Sequence, residues 1–228
     1  MRPFSALILS ATLALPLPAL AETLSPPVLS VTGTGSVEAV PDLATLSIGV
    51  TTQGDTASAA LAANSALLEA VFAQLTATGI AARDMQTSYL AVNPNFTGYD
   101  DLGAPLIAGY IATNTLMVQV RQIDTLGAVV DAALGSGANT LNGLAFSLAD
   151  PQTALDDARR EAVDDARARA KLLATAAGMT LGRVLSISEA GTGLEVQPAY
   201  RAEAAALPLA QGEIALSASV TMVFEINP

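Results

Sequence analysis

The chain contains no cysteine and no histidine, a single lysine, and only 10 basic residues against 21 acidic ones. Without cysteine there is no disulfide, so its fold rests on apolar burial and hydrogen bonds alone. The joint absence of His and Cys removes the usual ligand sets for zinc, haem, iron–sulfur clusters and copper. It also removes every nucleophilic dyad or triad that needs an imidazole or a thiolate. Carboxylates, hydroxyls, arginines and Lys171 remain for chemistry. The scarcity of positive charge leaves a formal net of −11 and a sequence pI near 4.2. Such a surface repels phosphate backbones and anionic lipid, which argues against a nucleic-acid or membrane-surface partner. Its simplest consequence is solubility for a chain rich in alanine.

Long hydrophobic runs are also scarce, and the one that stands out is N-terminal. Arg2 is followed by an apolar stretch from Phe4 to Leu15 and by Ala19-Leu20-Ala21, the small-x-small pattern of a signal-peptidase site. The run is short and interrupted by Pro16 and Pro18, which argues against the alternative of an uncleaved membrane anchor. No cysteine is available for a lipid anchor, and no second hydrophobic span is read downstream. The expectation is a signal peptide over residues 1–21, cleaved after Ala21, and an exported single domain over 22–228 with no stable membrane insertion.

Three segments of that domain alternate with period two. Ala44, Leu46, Ile48 and Val50 share one face of 42–52, opposite Thr45, Ser47 and Thr51. Over 106–121, Tyr110, Ala112, Leu116, Val118 and Val120 oppose Thr113, Thr115, Gln119 and Arg121; over 214–226, Leu216, Ala218, Val220, Met222 and Phe224 oppose Ser217, Ser219, Thr221 and Glu225. These are half-buried strands of the antiparallel kind. Further strands are predicted at 28–37, 86–92, 143–148 and 184–189. Helices are predicted from Asp55 or Thr56 to Gly79, from Asp124 to Gly135, and from Asp150-Pro151 to Gly178. Their inner stripes are read as Leu61, Leu68, Val71 and Leu75; then Leu126, Val129, Val130 and Ala133; then Leu155, Ala158, Ala162, Ala166, Leu173 and Ala177. A strand–helix–strand order occurs over 42–92 and again over 106–148. The predicted fold is α+β, a mostly antiparallel sheet with helices packed on one face, built from duplicated strand–helix–strand units. Segments 93–105 and 190–211 read as long Pro/Gly-containing loops, long enough to carry function.

No residue rises to a catalytic, cofactor or metal assignment. The charged run from Asp156 to Lys171 places Asp156 with Arg160 and Asp165 with Arg169 at i,i+4, the spacing of a solvated, salt-bridged helix face. Lys171 near the end of that helix complements its dipole rather than serving as a nucleophile. Gly33-Thr34-Gly35 lacks the glycine spacing, lysine and following helix of a phosphate loop and reads as a bulge or a close backbone approach within a strand. Asp100-Asp101 reads as an acidic turn rather than a calcium site, and Asn95-Phe96-Thr97 as a chance match to the glycosylation pattern. The uncharged hydroxyl faces of the strands have two readings, a solvated sheet face or a subunit contact.

Segments 31–50, 84–96 and 109–150, together with the Ala- and Arg-rich 154–189 that runs through Gly178 and Leu181-Gly182 to Glu189, resemble the SIMPL-domain family. That resemblance implies an exported bacterial protein of the periplasm or outer envelope, with no established catalytic residues to carry over. It further implies links to oxidative-stress tolerance, immunogenic envelope proteins, and large channel-like assembly in at least one member. The expected function is therefore non-enzymatic: a self-associating homo-oligomer serving envelope integrity or oxidative-stress tolerance. The alternative is a binding module for a small ligand or envelope polymer that uses the 93–105 and 190–211 loops. A hydrolase resting on a carboxylate pair would require two acids in a cleft away from the charged helix.

Overall fold

The alternating segments become strands, and the turn and cap signals between them become the corners. The computed structural model describes residues 26–189, 197–199 and 211–228. Within these, the order is β1 (Val28–Ala39), β2 (Leu43–Gly54), α1 (Ala57–Ala77), β3 (Met85–Tyr99), β4 (Pro105–Val120), α2 (Leu126–Gly135), β5 (Thr140–Ser147), α3 (Gln152–Ala176), β6 (Thr180–Glu189), β7 (Gln197–Ala199) and β8 (Glu213–Asn227). Every strand pair is antiparallel, and the fold is α+β as predicted. The strands are divided between two four-stranded sheets: β1-β8-β6 with β7 alongside β8, and β3-β4-β2-β5. The predicted leader and most of 190–211 lie outside the described residues.

The second sheet is where the repeated strand–helix–strand order acquires geometry. In β2-α1-β3 the two strands run the same way with β4 between them, and in β4-α2-β5 they do so with β2 between. Two split βαβ units therefore interlock. Leu46, Ile48 and Val50 of β2 and Leu116, Val118 and Val120 of β4 form the inner face, with α1 and α2 laid over it. Burying each such side chain contributes roughly 1.5–3 kcal/mol. Helix α1 starts at Thr56, whose Oγ1 accepts a hydrogen bond from the Ala59 N–H at 3.2 Å. It stops before Gly79, which sits at φ +95°. Its buried stripe includes Leu68, Val71 and Leu75 as predicted, but Leu61 is partly exposed and Asn64 is fully buried. By length and composition α1 also qualifies as a membrane-crossing helix, a span not picked out in the sequence; here its stripe is packed on β2 and β4. All four predicted positions of α2 are buried.

The first sheet is closed by the two ends of the described chain: β1 pairs β8 along its whole length, from Val28↔Glu225 to Ala39↔Ile214. Helix α3 lies across them. It begins where Asp150 Oδ1 accepts the Gln152 N–H at 3.0 Å beside Pro151. Its buried stripe is five alanines at strict four-residue spacing, Ala158, Ala162, Ala166, Ala170 and Ala174. The predicted Leu155, Leu173 and Ala177 are not in it, and Leu173 is 49% exposed. The facing strand explains why the stripe is alanine over 158–166. A Cβ built on Gly35 would collide with the Ala158 carbonyl oxygen and stand 2.6 Å from the Ala162 nitrogen; one on Gly33 would meet Ala162 and Ala166 in the same way. Strand and helix touch backbone to backbone, and a leucine does not fit between them. Of the two readings of Gly33-Thr34-Gly35, the close approach is the one found, since β1 keeps a continuous register with β8 and has no bulge.

Segment 93–105 is not a loop. β3 continues to Tyr99 and β4 begins at Pro105, so only 100–104 turns. Because β2 ends opposite Tyr110, the rest projects as a two-stranded arm. Asn, Pro and Gly depress strand propensity, but pairing with β4 overrides it. The chain passes between the sheets at 40–42 and 148–151. Asp42 ties these crossings together: its N–H donates to Ser147 O (3.2 Å) and its Oδ1 accepts from Ala149 N–H (2.6 Å).

Candidate functional site

Among the described residues no group of three or more acidic side chains is arranged to hold a metal ion. The one buried carboxylate among them is Asp84, 7% exposed, just before β3. Arg121, at the end of β4, grips it through Nε (3.1 Å) and Nη2 (2.7 Å). The guanidinium's hydrogen bonds hold the Asp84 carboxyl below the usual carboxylate range, overcoming the opposing effect of burial. A general acid needs the opposite shift. The pair lines a cleft of about 280 Å³ with Arg83, Gln119, Gln122 and Thr125, and contains no second carboxylate. Nothing in the sequence marks Asp84 and Arg121 as a pair. Its members are 37 positions apart, and no local pattern connects them.

The charged face of α3 differs in detail from the helical spacing rule. Asp165 and Arg169 pair at 2.9 Å as expected. Asp156 instead pairs with Arg159, which also reaches Glu189 on β6 (2.8 Å each), and Arg160 takes Asp157. More informative is what these side chains do beyond the helix. Asp165 Oδ2 accepts the Thr34 N–H at 2.9 Å, Glu161 Oε2 accepts the Ser36 N–H at 3.2 Å, and Arg169 Nη1 donates to Thr32 O at 3.3 Å. All three partners are main-chain groups on the free edge of β1. The Thr34 N–H is the chief reason the Asp165 carboxyl titrates below its ordinary range, with Arg169 adding to it. The face is a salt-bridged surface, and it also seals a sheet edge. Lys171 is exposed on α3.

Asp100 is a turn residue: its Oδ1 accepts from the N–H groups of Leu102 (2.9 Å) and Ala104 (2.8 Å). Asn95-Phe96-Thr97 lies on β3. A shallow notch of about 180 Å³ sits at the base of the arm, lined by Gln53, Asp55, Asn95 and Tyr110.

The hydroxyl residues do lie opposite the cores, and they make two surfaces rather than one. On the first sheet Thr32 pairs with Thr221 (Oγ1–Oγ1 3.0 Å) and Ser217 with Ser36 (3.3 Å), with Thr34 beside Ser219. On the second, Thr45, Ser47, Thr51, Thr113 and Thr115 face outward. The second sheet has a property that no single strand displays: β2, β3, β4 and β5 contain no charged residue at all. In a chain of net charge −11, both faces of one whole sheet are free of charge. Its arm leaves Phe96, Tyr99, Leu102, Leu106 and Ile107 about half exposed or more.

The sequence pattern of the SIMPL family, described as a protein of unknown function (DUF541), matches residues 29–224. The chain is 36% identical over 227 residues to the 26 kDa periplasmic immunogenic protein of Brucella melitensis, covering 92% of this chain and 91% of that one. It is 31% identical over 209 residues to the uncharacterized protein YggE of Escherichia coli K12, covering 89% and 84%. The YggE protein of Edwardsiella ictaluri is 32% identical over 186 residues, covering 82% and 77%. With the match running from the first strand to the last, the chain belongs to the SIMPL family.

Proposed function

We propose that the protein is an exported, non-enzymatic component of the periplasm that self-associates and serves envelope integrity or oxidative-stress tolerance. The observation that carries the self-association is the charge-free second sheet. Burying a charged group costs far more than burying a hydroxyl or an amide that keeps its hydrogen bonds. Subunit contacts are accordingly depleted in charge at their centres. The arm adds exposed apolar surface to the same sheet, which isolated soluble proteins keep small. The periplasmic relative from Brucella melitensis supports the compartment, as does the leader read over 1–21. The buried carboxylate neutralised by Arg121 supports a non-catalytic reading.

Light scattering on residues 22–228 tests the assembly: a defined multimer at micromolar concentration is expected, and a strict monomer refutes it. A deletion strain tests the physiological half. It is expected to lose viability under peroxide or detergent, and a strain that matches the wild type under both refutes that role.

The second reading, a binding module for a small ligand or polymer, rests on the notch at the base of the arm. It predicts a ligand-induced rise in Tm that disappears in an Asn95→Ala variant.

A further inference from the structure

An antiparallel sheet that ends in solvent presents a row of unpaired N–H and C=O groups, and a soluble protein has to deal with each such edge. Among the described residues five strands are paired on one side only: β1, β6, the three-residue β7, β3 and β5. The edge of β1 is sealed by Glu161, Asp165 and Arg169 of α3. β6 carries Arg183 and Glu189 and is broken by two register shifts within ten residues. β5 is eight residues long, with an irregularity opposite Ser47 and Ile48. β3 is fifteen residues long and uncharged. Among the described residues nothing pairs with its outer edge. Its own pairing with β4 is regular from Tyr89 to Asn95. Pro94, which has no N–H to offer, closes the usable stretch on one side, and the shift between Thr87 and Tyr89 closes it on the other.

We propose that the edge of β3 over residues 89–93 pairs antiparallel with the same segment of a second copy of this chain, about a twofold axis at Ala91. This rests on the self-association reading above and assigns it a surface. The segment Tyr-Leu-Ala-Val-Asn is complementary to itself in that register. Ala91 lies opposite Ala91, Leu90 opposite Val92, and Tyr89 opposite Asn93. The apolar pair falls on one face and no like charges meet. The smallest side chain of the segment sits on the axis, where two copies crowd most. Such a contact is isologous and closes as a dimer, joining two four-stranded sheets into one of eight. The arm runs on from the same edge, so each copy's arm extends past the start of the other's β3. At roughly 200 Å² for a large apolar side chain, its five exposed residues leave several hundred Å² to cover, comparable with one side of a small stable interface.

The natural absence of cysteine makes the test direct. Opposed residues in an antiparallel pair have Cα atoms about 4.5–5.5 Å apart, inside the disulfide range of roughly 4.4–6.8 Å. The single substitution Ala91→Cys is therefore expected to convert most of the mature protein to a disulfide-linked dimer under mild oxidation. Thr32→Cys, beside the sealed edge of β1, is expected to remain largely uncrosslinked. Ala91→Lys, which sets like charges on the axis, is expected to lower the mass seen by light scattering at least twofold while the circular dichroism is unchanged. Should that variant misfold, the cysteine pair alone decides. A multimer in which Ala91→Cys crosslinks no better than Thr32→Cys overturns the β3 pairing and leaves self-association standing. A monomeric wild type overturns both.

Discussion

Replacing Gly35 with alanine should destabilise the protein, although alanine ordinarily improves a strand. Gly35 does not occupy the left-handed region. By chain entropy alone, Gly→Ala at such a site stabilises by about 0.4–1 kcal/mol. Against this stands the helix. The added methyl would sit on the Ala158 carbonyl oxygen, 2.6 Å from the Ala162 nitrogen and 2.7 Å from the Glu161 Cβ. Backbone atoms cannot rotate away, so α3 must lift off β1. Overpacking of this kind costs typically 1–3 kcal/mol. The lift also stretches the bond from the Ser36 N–H to Glu161, a loss of about 1 kcal/mol. The steric side wins, with a net destabilisation of about 2 kcal/mol. In a urea titration with a slope of about 2 kcal/mol per molar, the midpoint should fall by about 1 M; for a chain of this size Tm should fall by roughly 4–8 °C. Gly127 provides the internal contrast, because it lies in α2 and a methyl added there would meet nothing within 4 Å. Gly127→Ala should raise stability by about 0.5–1 kcal/mol through helix propensity. If Gly35→Ala proves as stable as the parent, the backbone contact between β1 and α3 is wrong.

Asp84→Asn should cost about 1–2 kcal/mol, since it leaves the half-exposed Arg121 without its charged partner. The Asp84 carboxyl titrates below its unfolded value. Its contribution is therefore full above the unfolded pKa and is lost as pH falls through the folded one. A pH series of urea midpoints should show an acid-side decline that is shallower in the variant, and equal declines would contradict this. Asn64 is fully buried, and its Nδ2 donates to Val50 O (2.7 Å) and Ala112 O (3.2 Å). Asn64→Asp replaces that donor with a charge facing two carbonyls and should cost about 3 kcal/mol or more, exceeding Asn64→Ala in the same denaturation assay. Glu161→Ala combined with Asp165→Ala unseals the β1 edge and should raise turbidity on mild heating relative to Glu189→Ala, which leaves that edge closed. Equal turbidity would count against the sealing role.

Local rules reached a long way into this chain. The alternation of Leu46, Ile48 and Val50 fixes a strand and its buried face because side chains on a pleated strand point to opposite sides. Thr56 and Asp150 mark helix starts because their oxygens satisfy main-chain N–H groups that the helix leaves unpaired. The missing histidine and cysteine ruled out whole classes of chemistry. The reading failed where two distant segments had to meet. Leu173 looked like a core residue by type, yet it is 49% exposed and the buried stripe runs through Ala170 and Ala174. Asn64 lies outside the apolar stripe read for its helix, yet it is buried and serves two strand carbonyls beneath α1. The arm over 93–105 looked like a loop until β4 paired with it.

Sequence by itself determined the class of fold, the central stretch of every helix and of every strand but the short β7, and the family, because each depends on neighbouring residues or on the pattern as a whole. Tertiary structure alone decided the division of the strands into two sheets, the Asp84–Arg121 pair, the sealing of β1 by α3 and the place of β3 at the end of its sheet. Sheet membership and edge exposure depend on which strands meet across long stretches of chain. Period-two alternation says which face of a strand is buried, and nothing about which neighbour lies beside it.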